Sequence, residues 1–171
     1  YAVAPAKMCV KISPELPAET AIFAEPFTCV VSAVNKIRLM PGESVLIMGA
    51  GPIGLYFTSL LKANGAGKII VSEPNERRRE LAVKMGADIL INPAESNIVD
   101  EVMKYTDGHG ADVVVEAVGT LVQECIDCVR PKGKVLLFGM DSSKKPEVDQ
   151  FKIVRNEITL MGSFIGLNTL P

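Results

Sequence analysis

The sequence predicts an α/β fold in which a parallel six-stranded sheet is doubly wound by helices on both faces. Three observations carry that expectation. Beyond residue 44, short and almost wholly apolar segments alternate with helical stretches of about a dozen residues. The apolar segments have no polar side, as strands covered on both faces should not. The chain's 171 residues, 48% of them hydrophobic, suffice for one full core. With right-handed crossovers, β-α-β-α repetition of this kind closes into one doubly wound sheet.

The elements follow in order. Residues 8–17, MCVKISPELP, read as a short strand ended by Pro14 and Pro17. Between Pro17 and Ile37 the apolar residues suit two short helical pieces joined at Glu25-Pro26, because a residue before proline avoids the helical region. MPGES is a turn. Strands are then expected at Val45–Met48, Lys68–Ser72, Asp88–Ile91, Asp112–Glu116, Lys134–Phe138 and Ile158–Met161. Helices fit between them at Ile53–Asn64, Asn75–Met85, Asn97–Tyr105 and Leu121–Val129, while GMDSSKKPEVDQFKIVRN reads as an irregular connection.

Composition excludes several classes. The formal net charge is -2 and the basic residues are scattered, which argues against a nucleic-acid or polybasic membrane surface. No apolar run reaches the roughly 18 residues of a bilayer span. The opening YAVAPAKMCV lacks the hydrophobic centre of a secretion signal. Four cysteines, Cys9, Cys29, Cys125 and Cys128, do not make a disulfide framework, and a reducing, cytoplasmic setting is expected.

The chemistry concentrates in one stretch. Gly49-Ala50-Gly51-Pro52-Ile53-Gly54 is a G-x-G-x-x-G that follows the strand SVLIM and opens the helix IGLYFTSLLKA. That placement turns a weak motif into a dinucleotide fingerprint. Gly49 permits the tight turn, Gly51 leaves room for a pyrophosphate, and Gly54 lets helix and strand approach. The helix N-terminus then offers N–H groups and partial positive charge to phosphate. Glu73 arrives nineteen residues after Gly54, at the end of the second strand, where a carboxylate accepts the adenosine ribose hydroxyls. A 2′-phosphate would meet like charge there, so NAD is expected over NADP, although Arg77, Arg78 and Arg79 follow at once. Gly119 after DVVVEAV and Gly139 after KVLLF end later strands, with Val118 beside the first; they are walls for the nicotinamide end or plain turns.

Other constellations carry less. Cys125-Ile126-Asp127-Cys128 has C-x-x-C spacing but no second pair, and reads as buried helix cysteines. His109 sits between glycines in an exposed turn. NERRREL interleaves glutamates with its arginines, as a solvated helix face does.

AEPFTCVVSAVNKIRLMPGESVLIMGAGPIGLYFTSLLKANGA, VSEPNERRRELAVKMGAD, GADVVVEAVG and NEITLMGSFIG together resemble the zinc-dependent medium-chain dehydrogenase/reductase (alcohol dehydrogenase) family, in its sorbitol, butanediol and threonine dehydrogenase branch. The resemblance implies a Rossmann coenzyme domain at residues 25–166, a catalytic-domain remnant at residues 1–24, and the return to that domain at residues 167–171. It implies pyrophosphate contacts at Gly49, Gly51, Pro52, Ile53 and Gly54, and ribose contacts at Glu73 and Arg78. It also implies a nicotinamide border at Phe138, Gly139 and Met140 and at Phe164, Ile165 and Gly166. Glu25 matches a position at or just behind a catalytic zinc whose other ligands would lie outside the chain. Ile165 and Gly166 stand where polyol enzymes often carry polar groups, which counts against a polyol. The implied activity is hydride transfer between a secondary alcohol, polyol-like or amino-alcohol substrate and nicotinamide, with this chain binding dinucleotide and no catalytic residue of its own. The implied assembly is a homo-oligomer through the last strand, whose apolar edge pairing would cover. Other readings of the glycine loop are an FAD enzyme, an S-adenosylmethionine enzyme, and a non-catalytic dinucleotide sensor.

Overall fold

In the computed structural model, which describes residues 3–6 and 9–166, six parallel strands form one sheet in the order β3-β2-β1-β4-β5-β6. The strands are β1 Ser44–Met48, β2 Lys68–Ser72, β3 Ile89–Ile91, β4 Ala111–Glu116, β5 Val129–Leu137 and β6 Thr159–Gly162. Helices α1 Ala18–Ala21 and α2 Ala24–Ile37 precede the sheet. Between strands run α3 Pro52–Ala63, α4 Glu76–Lys84, α5 Ile98–Tyr105, α6 Val122–Cys128 and α7 Gln150–Arg155.

The apolar alternation of each strand feeds two cores, as a sheet covered on both faces requires. Val45, Ile47, Ile69, Val71, Val113 and Val115 pack with Phe57 and Leu61 of α3 and with Val30, Ala33, Val34 and Ile37 of α2. Leu46, Met48, Ile70, Val114 and Val135 point the other way, onto Val102 of α5 and Val122, Cys125, Ile126 and Cys128 of α6. Register keeps the strand ends level: Met48 pairs with Ser72 on one side and with Glu116 on the other, and Glu116 with Leu137. The carboxyl ends of β1, β2, β4 and β5 therefore stand in one row.

Four local expectations are corrected. Residues 9–13 are not a strand. The chain does not break at Glu25-Pro26, because α2 runs continuously from Ala24. Pro26 is its third residue, where the N–H has no intrahelical partner to lose. The connection after β5 holds the six-residue helix α7, capped by the Asp149 side chain, which accepts the Lys152 N–H. Strand β5 also begins earlier than expected, at Val129, with a register shift against β4 between Ala111 and Val113.

Candidate functional site

The sheet order reverses between β1 and β4, since β2 and β3 lie to one side of β1 and β5 and β6 beyond β4. Ligands of open α/β sheets bind at such a switch point, outside the carboxyl ends of the strands. The glycine loop leaves β1 there. Gly49 takes a left-handed φ of +95°, and a Cβ on Gly54 would stand 2.0 Å from the Gly49 carbonyl oxygen. Both glycines are thus demanded by the chain itself. Gly51 is not: its φ is −66°, and a Cβ there would meet nothing within 4 Å. What Gly51 keeps clear is space above the first turn of α3. That turn has Gly51 as its N-cap, Pro52 as its first residue and no side-chain cap. The leading N–H groups of a helix have no intrahelical partner and carry partial positive charge, which suits an anion. A dinucleotide's pyrophosphate fits such a place.

Glu73 directly follows the neighbouring strand β2 and is 4% exposed. Its Oε2 accepts the Ala50 N–H at 2.8 Å and its Oε1 accepts the Asn75 N–H at 2.9 Å. The acid therefore ties the glycine loop to β2, and each oxygen retains a lone pair for a further donor. Arg78 Nη1 stands 3.8 Å from Oε2. Arg79 is engaged otherwise, donating to the main-chain carbonyls of Glu73 and Pro74 at 2.9 and 2.7 Å.

Gly49, Glu73 and Arg78 line a cleft of about 480 Å³, whereas Gly51, Pro52, Ile53 and Gly54 are not among its lining residues. Met48, Gly49, Glu73, Arg78 and Val118 line it together with Pro93, Ile98, Leu121 and Glu124, and the lining is mostly apolar. Among the expected residues, the structure brings Gly49, Glu73, Arg78 and Val118 into one cleft. Phe138, Gly139 and Met140 follow β5, and Phe164, Ile165 and Gly166 follow β6, further along the same sheet edge and outside that cleft. Phe138 is anchored by an edge-on ring contact with Phe57 at 5.2 Å. Met140 and Phe164 are exposed. The two strand-ending glycines are required structurally. Gly119 has φ +106°, and a Cβ on Gly139 would lie 2.2 Å from the Gly119 nitrogen.

Reading along the sequence missed Glu116, a buried acid at the end of β4, and the apolar side of the slot. The signal for Glu116 was present: VVVEAVG, like IIVSEP, is an apolar strand that closes on a glutamate. Pro93, Ile98 and Leu121 gave no signal, because they come together only when the β3–β4 and β4–β5 crossovers lie side by side.

The remaining candidates separate from the site. Cys125 and Cys128 are free and buried within α6. Burial, with the Glu116 carboxylate nearby, pushes the Cys125 thiol far above its ordinary range. Burial beside Asp127 pushes Cys128 up to about 12. Both are inert core thiols at neutral pH. His109 is exposed at the opposite edge of the sheet, beside a shallower depression with Lys68, Asp112 and Arg130. Glu25 is exposed in the first turn of α2. Among the described residues, no three His, Cys, Asp or Glu side chains form a group able to hold a metal, and no helix is long and apolar enough to cross a membrane.

Fold and cleft define a Rossmann-type domain, of the kind that carries a coenzyme. Comparison with known proteins narrows the class. The profile of the zinc-binding dehydrogenases matches residues 52–171, and the chain belongs to that family. It is 45% identical over 148 residues to the L-threonine 3-dehydrogenase of Pyrococcus horikoshii, covering 84% of this chain and 42% of that protein. A short chain alcohol dehydrogenase of Escherichia coli CFT073, complexed with NADH, superposes with a TM-score of 0.88 at 28% identity, covering 98% of this chain and 50% of that one. A zinc-binding dehydrogenase of Sinorhizobium meliloti 1021 bound to NADP gives 0.80 at 30% identity, over 84% and 44%. The chain thus spans about half the length or less of the proteins it matches.

Proposed function

We propose that this chain is the NAD-binding half of a dehydrogenase that acts on a small secondary alcohol with a neighbouring hydroxyl or amine. The observation that carries the reading is Glu73, buried at the lip of the cleft and bonded to the glycine loop, with open space kept above Gly51. In that arrangement the first turn of α3 binds the pyrophosphate, Glu73 takes the adenosine ribose hydroxyls, and the slot of Pro93, Ile98 and Leu121 takes the adenine. Val118 and Gly119, with the segments at Phe138–Met140 and Phe164–Gly166, border the nicotinamide, orient its ring and keep water from one face. The nicotinamide, when bound, supplies the hydride acceptor or donor. NAD is favoured over NADP because a 2′-phosphate would come against the Glu73 carboxylate, and Arg79 is already committed to carbonyl oxygens.

The described residues do not suit zinc by themselves. Glu25 is proposed as one neighbour of a metal held mainly by residues outside this chain, which makes residues 1–24 part of the domain that surrounds it. A cytoplasmic setting is supported by four free thiols. Pairing with a second copy is supported by β6, which stands at the end of the sheet with one side unpaired.

The test is a titration with NADH followed by nicotinamide fluorescence, with NADPH, FAD and S-adenosylmethionine as competitors. NADH should bind at least about tenfold more tightly than NADPH, a difference of about 1.4 kcal/mol. Glu73→Gln should weaken NADH and narrow that gap. Binding of FAD or S-adenosylmethionine in place of NADH would overturn the reading.

A further inference from the structure

Strand β4 ends on Glu116, only 2% exposed. An acid this deep costs free energy unless donors meet it. Two do: the Val118 and Gly119 N–H groups both donate to Oε1, at 3.0 and 2.7 Å. These amides have left the β ladder, which closes one residue earlier with Ala117 N–H donating to the Met48 carbonyl. The main-chain carbonyl of Glu116 accepts two more N–H groups, from Phe138 and Gly139 at 3.0 and 2.9 Å. Donors from the loops after β4 and β5 thus converge on one residue.

Around that residue the loops are packed closely. Gly119 is left-handed and abuts the backbone at Met140 and Asp141, while Gly139 abuts Val118 and Gly119. On the other side, Val118 Cγ2 lies 3.0 Å from where a Gly49 Cβ would be. Val118 and Gly119 are therefore held between the glycine loop and the loop after β5, where the Glu116 carboxylate reaches both amides.

We infer that Glu116 is a positioning residue for the coenzyme, whose carboxylate fixes Val118 and Gly119 as the wall of the crevice. The inference rests on the coenzyme reading above, since a wall has this purpose only if something lies against it. The hydrogen bonds need an acceptor oxygen and not a charge. A glutamine should do the work of the acid, and an apolar side chain of the same length should not.

Glu116→Gln and Glu116→Met are compared with the unaltered chain by NADH titration and by amide hydrogen exchange. In Glu116→Met, NADH should bind at least about tenfold more weakly. Exchange at Val118 and Gly119 should speed by at least about tenfold, while Val113, Val114 and Val115 stay protected. Glu116→Gln should remain within about threefold of the unaltered chain in both readouts. Unchanged NADH affinity in Glu116→Met, or unchanged exchange at the two amides, overturns the inference. So does loss of protection throughout β4 in both variants, which would make Glu116 a residue of the fold alone. Should the unaltered chain bind no NADH, the coenzyme reading falls by itself. The exchange comparison still shows whether the carboxylate holds the loop.

Discussion

At Gly49, Gly51 and Gly54 the same residue type answers three different demands, and substitution separates them. Gly54→Ala drives a methyl against the Gly49 carbonyl oxygen, a backbone clash that should cost about 3 kcal/mol of stability. Gly51→Ala meets nothing and keeps an ordinary backbone. It should therefore melt within about 2 °C of the unaltered chain while NADH affinity falls at least about tenfold. Thermal melts beside NADH titrations check both, and a Gly51→Ala protein that binds normally would remove the pyrophosphate from this loop. The sequence made the spacing of these glycines legible, along with Glu73 at the next strand end. It could not show that Glu73 is tied to Ala50, because that bond joins residues 23 apart and exists only once β1 and β2 lie side by side.

Between elements, two aspartates act as clasps. Asp112, at the start of β4, accepts the Ser44 N–H and hydroxyl at 2.8 and 2.7 Å and binds the Arg130 guanidinium. Asp88, just before β3, accepts the Ile69 N–H at 2.8 Å and pairs with Lys62 of α3. Burial alone would raise both acids, but these hydrogen bonds and cations outweigh it and hold both below the usual carboxylate range. Since the folded-state values are depressed, their stabilisation is complete above the unfolded value of about 3.9. It is lost as pH falls through the lower folded values. Urea midpoints should hold steady from neutrality to about pH 5 and drop below about pH 4. Asp112→Asn should lower stability near neutrality by about 2 kcal/mol and flatten that acid slope. Most helices and strands were legible from their periodicity to within a residue or two, because their apolar residues face a core. The failures have separate physical causes. Phe151 and Val154 of α7 are 72% and 68% exposed, so no buried stripe announced the helix. Pro26 misled because a proline breaks a helix interior and not its first turn.

For the whole molecule, the sheet has two ends, and at one of them lies β6. The Ser163 N–H donates to the Leu137 carbonyl, so by the alternation of a parallel ladder the Gly162 N–H points away from β5, along the open side. Gly162→Pro removes that donor, and a Cβ there would meet nothing within 4 Å. If a second copy pairs at this edge, Gly162→Pro should leave NADH binding within about threefold but turn a dimer into a monomer by sedimentation velocity. A dimer that persists would place the assembly elsewhere. The doubly wound architecture followed from the order of apolar segments alone. The switch point fixed where the crevice had to open, whereas its far border depends on how the chain ends at β5 and β6 fall relative to one another.

The backbone contact between Gly119 and Gly139 also limits how this domain can be re-engineered or can diverge. At this contact neither loop has a side chain to trim or a gap to fill, so a change in one must be matched in the other. In recombination with relatives the two segments should transfer only as a single cassette, with Glu116 travelling alongside. Chimaeras cut between β4 and β5 should fold poorly, while those cut upstream of β4 and downstream of Met140 keep the joint intact.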